Sequence, residues 1–336
     1  MKRSQLTTLL AILMIASAAL AQVRKSGINS LAFLKIGVGG RQVAIGSAAT
    51  TLTGDPFQMF WNPAGITDEP SSFSAGVYYN KWLLGLNQEA GAITYSAGDL
   101  GTFGIGYTTF GVNGIPADRD LLPPNLSYLQ IDQQTSSTYD YRDMELILSY
   151  ARHVTDELSL GFNLKYLNET IDNMSANAFA IDVGSVYQIT SFWSIGARLS
   201  NLGSDIKYYD ISSPIPLTFS VGTSFHQTFS ETFGGALYLD VVQPQDLSQL
   251  FYTGLDVNLI QVFDVRFGYK FNYSNTKDAG NSLRGPIDTS IEGFSAGIGA
   301  NVKLTDNNSV RFDYAFTQMK MLDNVHRFTL TFNWGK

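Results

Sequence analysis

The sequence predicts an all-β protein: a 14-stranded antiparallel transmembrane β-barrel with an N-terminal hatch or plug inside its lumen. Three observations predict it. From residue 72 onward apolar and polar residues alternate with period 2 in segments about 10 residues long, the length a tilted strand needs to cross a bilayer. The apolar face is dense in aromatics, with 22 Phe and 17 Tyr, in a chain whose charged fraction is only 15%, against about 25% in soluble domains. The connections alternate between tight turns and long loops, as they do in outer-membrane barrels.

The chain opens with the features of a secretory signal peptide. Lys2 and Arg3 supply a positive start, Leu9 to Ile15 an apolar core, and Ala19-Leu20-Ala21 an A-x-A cleavage site. That core is about half the roughly 20 residues a spanning helix needs, so residues 1–21 are expected to be removed. Two of the 22 Lys and Arg fall within this segment, leaving 20 against 29 Asp and Glu, a net charge of −9. Such a charge disfavours a nucleic-acid-binding surface, and no nucleic acid is expected as a partner. Without cysteine, disulfide frameworks and thiolate chemistry are excluded.

Residues 22–70 are expected to form the hatch. Within them, residues 33–67 show no strand alternation. They mix Gly37, Gly39, Gly40, Ala44, Gly46, Ala48 and Ala49 with apolar residues and close on Trp61-Asn62-Pro63-Ala64-Gly65. A barrel of this strand number has a lumen that side chains alone do not fill, and a compact Gly/Ala-rich segment suits it. Arg41 is expected either to pair with an inward carboxylate such as Asp182 or Asp313 or to face solvent. Trp61 to Gly65 read as the turn into the wall, since Pro63 fixes φ and Gly65 permits a sharp bend. The Gly37-Val38-Gly39-Gly40 run lacks the spacing and βαβ context of a phosphate loop, so backbone packing is its expected use.

Residues 71–336 carry the barrel, with strands at 72–79, 89–97, 102–111, 141–153, 157–170, 175–189, 192–202, 215–227, 231–242, 248–259, 262–273, 290–304, 308–319 and 325–334. In the eleventh, Phe263, Val265, Phe267, Tyr269 and Phe271 share one face, against Asp264, Arg266, Gly268 and Lys270 on the other. The last repeats the rule with Phe328, Leu330, Phe332 and Trp334. A soluble sandwich also alternates, but its strands are shorter and its outward face is polar. Tight links fall at Gly98–Gly101, Thr155-Asp156, Thr190-Ser191, Ser230, Ile260-Gln261 and 305–307. Longer ones fall at 80–88, 112–140, 168–174, 203–214, 243–247, 274–290 and 320–324. Closure leaves no unpaired edge in lipid, so the last strand must pair with the first. The cell outer membrane and its lipid follow as location and partner, with the tight turns and both termini on the periplasmic side. The inward face is rich in glycine (Gly104, Gly106, Gly184, Gly196, Gly222, Gly268, Gly297, Gly299) and carries charges of both signs: Glu145, Lys165, Asp182, Arg198, Asp240, Arg266, Lys270, Lys303, Arg311 and Asp313.

Chemistry is sparse. His153, His226 and His326 stand far apart at strand ends, so no metal and no cofactor are expected. There is no G-x-S-x-G and no clustered nucleophile, so no catalytic residue is assigned and the chain reads as a non-enzyme. The loop over 112–140 is unusually apolar: Leu121, Leu122, Pro123, Pro124, Leu126, Tyr128 and Leu129 mark either packing across the barrel mouth or a surface for a partner or hydrophobic ligand.

The run Phe33-Leu34-Lys35-Ile36-Gly37-Val38-Gly39-Gly40-Arg41, then Ala44-Ile45-Gly46 and Phe60-Trp61-Asn62-Pro63-Ala64-Gly65, resembles the N-terminal signature of the PorV/PorQ family, as does the closing His326-Arg327-Phe328 strand. That family is itself similar to the fatty-acid transporter FadL, whose hatch carries an Asn-Pro-Ala motif, here Asn62-Pro63-Ala64. The resemblance implies a role in type IX secretion, with type IX secretion components and cargo C-terminal signal domains as partners bound at the outer loops. The alternative is FadL-like transport of hydrophobic small molecules. The small and charged inward faces favour a packed or wet plug over a greasy channel.

Overall fold

In the computed structural model, residues 29–68, 71–116, 138–247, 249–272, 292–319 and 322–335 are described. The expected signal peptide and the apolar loop residues Leu121 to Leu129 lie outside them.

Sixteen strands are described: β1 (Phe73–Lys81), β2 (Asn87–Ser96), β3 (Thr102–Pro116), β4 (Thr138–His153), β5 (Leu158–Ile171), β6 (Met174–Thr190), β7 (Trp193–Gly203), β8 (Ile206–Tyr208), β9 (Ile211–Ser213), β10 (Thr218–Ser230), β11 (Phe233–Pro244), β12 (Leu250–Leu259), β13 (Phe263–Asn272), β14 (Glu292–Thr305), β15 (Asn308–Met319) and β16 (Val325–Trp334). Fourteen of them close an antiparallel barrel, with each strand beside its sequence neighbour and β7 beside β10, while β8 and β9 form a separate hairpin. The closing ladder runs from Phe73 opposite Trp334 to Lys81 opposite His326, so β1 and β16 pair as the edge argument requires.

Apolar side chains of the alternating face point outward. Val77, Ile105, Leu148, Leu164, Val183, Phe267 and Ile298 are among the exposed large hydrophobics. At the tight-turn end aromatics pair across strands, as in Phe73 with Trp334, Phe103 with Tyr150, Trp193 with Phe225 and Phe229 with Phe233. This is the interfacial girdle of a membrane barrel, and the protein is an outer-membrane barrel.

One of the expected long links, 168–174, is short, because the ladder continues past the apolar belt. β5 and β6 run on to Ile171 opposite Met174, joined through Asp172 in the left-handed region. Here cross-strand polar bonds, Asn168 to Asn177 and Thr170 to Ser175, replace lipid-facing hydrophobics. Water-exposed strand ends need no apolar alternation, so the pattern falls silent while the sheet goes on. The β8–β9 hairpin within 203–214 is missed for the same reason.

Residues 29–68 lie inside the barrel. Short 3-10 turns at Ala32–Lys35, Pro56–Phe60 and Pro63–Ile66 and one helix, α1 (Gly40–Ala44), make up their regular structure. The segment starts near the long-loop mouth, where Leu31 N donates to Glu169 Oε2 at 3.2 Å and Ser30 N to Pro214 O at 3.2 Å. It then descends to the tight-turn end and enters β1. The first described residues are therefore at the mouth and not on the periplasmic side.

Candidate functional site

The wall is built to receive the lumen segment. Asn62 caps the turn Pro63–Ile66: its Oδ1 accepts from Ala64 N at 3.1 Å, and Pro63 at the first position has no N–H to leave unbonded. The Asn62 amide donates to Thr50 O at 2.6 Å and to Ser185 O, in β6, at 3.1 Å, tying this turn to the rest of the segment and to the wall. A Cβ at Gly161 would overlap the backbone of Pro63 and Ala64, and one at Gly184 would overlap Asn62 Oδ1. On the other side, a Cβ at Gly254 or Gly268 would collide with the backbone of Ile45 and Gly46. These inward glycines are landing sites where the lumen segment meets the wall backbone, rather than positions that widen an empty lumen.

The other motif residues have definite places. Gly37 O accepts from Tyr78 OH at 3.0 Å, and the Trp61 indole donates to Val38 O at 2.7 Å. Gly39 has φ of +94° and precedes α1, whose first residue, Gly40, donates from N to Thr329 Oγ1 at 2.7 Å. Gly65 has no room for a Cβ beside Leu52 O and the Gln58 side chain. Gln58, missed in the sequence, donates to Ala49 O at 2.9 Å and to Leu52 O. Further from the motif, Asn163 of β5 donates to Met59 O at 2.7 Å, and Asp240 Oδ2 accepts from Thr50 N at 3.0 Å.

Inward charges sort into clusters. Lys165 lies 2.9 Å from Glu145 and 2.8 Å from Asp182. Arg266 bridges Asp256 at 3.1 Å, Asp264 at 2.6 Å and Asp313 at 2.6 Å, and Arg311 joins Asp313 at 2.9 Å and Asp55 at 3.6 Å. Lys35 pairs with Asp246, and Lys270 with Glu292. Arg41 faces neither Asp182 nor Asp313 at ion-pair distance, because Lys165 holds the first and two arginines hold the second. Its carboxylate is Asp256, at 3.9 Å, and Nη1 donates to Thr53 O at 3.3 Å. Burial alone lowers the pKa of Arg41, but Tyr238, Asp256 and Asp55 outweigh it and hold the guanidinium above the ordinary arginine value. Lys303 keeps the inward parity yet is exposed, since β14 overshoots the packed lumen at the tight-turn rim.

Two cavities flank this packed centre. The upper one, about 110 Å³, lies toward the long loops beneath residues 33–38, and its apolar wall includes Phe33, Ile36, Phe60, Trp61, Leu250 and Tyr252. The lower one, about 540 Å³, opens among the tight-turn ends of β10–β13 and is lined by Arg41, His226, Tyr238 and Asp256. Beside the upper cavity, the ladder between β7 and β10 ends at Thr218 opposite Ser200. Both residues line the cavity, and beyond them Asn201 Nδ2 donates to Pro216 O at 3.1 Å.

No family model matches the chain, and no curated protein matches it. Solved structures do. The CymD monoaromatic hydrocarbon channel superposes with a TM-score of 0.56 at 12% identity, covering 92% of this chain and 97% of that one. The Ralstonia pickettii toluene transporter TbuX gives 0.54 at 12%, covering 88% and 97%, and a Pseudomonas aeruginosa FadL homologue gives 0.56 at 11%, covering 88% and 98%. The fold is that of the FadL-like outer-membrane barrels.

Proposed function

We propose that this barrel carries small hydrophobic molecules across the outer membrane. The observation that carries the reading is the upper cavity: a partly open space in which aromatic and aliphatic side chains stand among polar and charged ones, roofed by residues 33–38, within a FadL-like barrel. Its volume is well below the 300–1,000 Å³ of drug-sized sites, which suits a solute of monoaromatic size. The neighbouring folds named as toluene transporter and monoaromatic hydrocarbon channel support the same class.

The small, polar inward faces that argued against a greasy channel are mostly occupied by the lumen segment. Much of the apolar lining comes from that segment itself, through Phe33, Ile36, Phe60 and Trp61. In this reading solute reaches the cavity when the roof lifts and leaves sideways at the seam between β7 and β10, where strand pairing stops. Uptake of labelled toluene by cells carrying the barrel tests the reading: it exceeds that of cells lacking the barrel, and equal uptake contradicts it.

The type IX reading rests on the motif residues, which form the lumen segment, and on the loop of Leu121 to Leu129. Recovery of a cargo C-terminal domain by the barrel, lost on deleting residues 113–139, is the result it requires.

A further inference from the structure

Among the described residues lining the upper cavity, one cation has no carboxylate at ion-pair distance. Lys35, Lys165 and Lys270 also line it, and each has its own carboxylate: Asp246 for the first, Glu145 and Asp182 for the second, Glu292 for the third. Arg198 differs. It is 8% exposed, its Nε is buried without a hydrogen-bond partner, and among the described residues no carboxylate oxygen lies within 4.0 Å of it.

Asp240, a buried carboxylate on the neighbouring inward surface, attracts Arg198 from beyond 4.0 Å, and its Oδ2 accepts from Thr50 N. The Arg198 guanidinium rests 5.3 Å from the centroid of the Trp61 ring, a contact that supplies attraction and no acceptor. A buried guanidinium with an unbonded N–H is costly unless an acceptor completes it. The only carboxylate lining the cavity among the described residues, Glu145, pairs with Lys165.

We propose that the upper cavity selects small organic acids, compounds of roughly ten heavy atoms with one carboxylate and an apolar body, over neutral hydrocarbons of the same size. Arg198 takes the carboxylate through its planar fork. The apolar body lies against Trp61, Phe60 and Tyr252, and the unpartnered Ser200 hydroxyl is a second donor at the same wall. A long acyl chain does not fit a space of about 110 Å³. This inference rests on the small-molecule reading above and narrows it to a charge class.

The test is equilibrium dialysis of the purified barrel in detergent against three probes of one size: benzoate, benzamide and toluene. The expected result is benzoate bound about tenfold or more tighter than benzamide, with that preference lost in Arg198→Gln and partly kept in Arg198→Lys. Retained heat-dependent gel mobility shows that each variant is folded, and the wild-type benzoate-to-benzamide ratio needs no variant. Toluene bound while benzoate is no better than benzamide overturns the acid selectivity and leaves the hydrocarbon reading standing. A benzoate preference that survives Arg198→Gln overturns the role of Arg198. Retention of none of the three removes the small-molecule reading and this inference with it.

Discussion

The lower and upper parts of the lumen segment are held in different ways. Residues 40–66 touch the wall backbone to backbone, at glycines that admit no side chain, and their free amides and carbonyls are bonded to buried groups such as Asp240, Asn163 and Ser185. Residues 29–38 cross the mouth on separate contacts: Ser30 N to Pro214 O, Leu31 N to Glu169, Tyr78 OH to Gly37 O, Trp61 to Val38 O, the Lys35–Asp246 pair, and Phe33 stacked at 6.4 Å on Phe110. Lys35 keeps 29% of its side chain exposed. A backbone seated on glycines cannot shift without losing many contacts at once, whereas a roof held by separate bonds can release them singly. In the transport reading proposed above, the lower body stays in place and the upper roof moves.

Substitutions break or sharpen that contrast in a graded way. Lys165→Met strands Glu145 and Asp182 in the packed lumen, and removing one partner from a buried ion cluster costs about 3–5 kcal/mol. The expected outcome is a barrel that loses its compact gel mobility at markedly lower temperature. Asn62→Ala leaves Thr50 O, Ser185 O and Ala64 N without their partner, a loss of about 1–3 kcal/mol for buried groups. Limited proteolysis then cuts residues 40–66, which stay protected in the wild type. Lys35→Ala removes a part-exposed lysine from the buried Asp246, so it costs more than a surface pair, about 1 kcal/mol or slightly above, and less than the buried cluster. Its gel transition stays close to wild type, while labelled toluene uptake rises. A roof variant that unfolds the barrel, or a body variant that only raises uptake, reverses the comparison.

Much of the barrel is legible in the sequence, because lipid imposes period 2 on every residue it touches. The pairing of β16 with β1 follows from closure alone. The ladders beyond the apolar belt, at Asn168 to Asn177 and in β8 and β9, are not legible, since water on both faces removes the alternation. In the lumen, Pro63 marks a turn by its own chemistry. That Gly161 and Gly184 lie beneath it depends on which glycines, about a hundred residues on, the barrel's curvature brings to that height. Likewise Arg198 can be read as inward-facing by parity. That no described carboxylate reaches it at ion-pair distance emerges only once Lys165 has claimed Glu145 and Asp182, which also explains why Arg41 turns to Asp256.

The most direct measurement locks each region in turn. The chain has no cysteine, so pairs can be introduced cleanly. Lys35→Cys with Asp246→Cys ties the roof to the wall, and Thr67→Cys with Ser159→Cys, whose hydroxyls lie 3.1 Å apart, ties the lower body. With a short bifunctional thiol reagent, labelled toluene uptake is expected to stop when the roof is locked and to persist when the body is locked. Uptake that continues through a locked roof, or that ends when only the body is locked, contradicts the account.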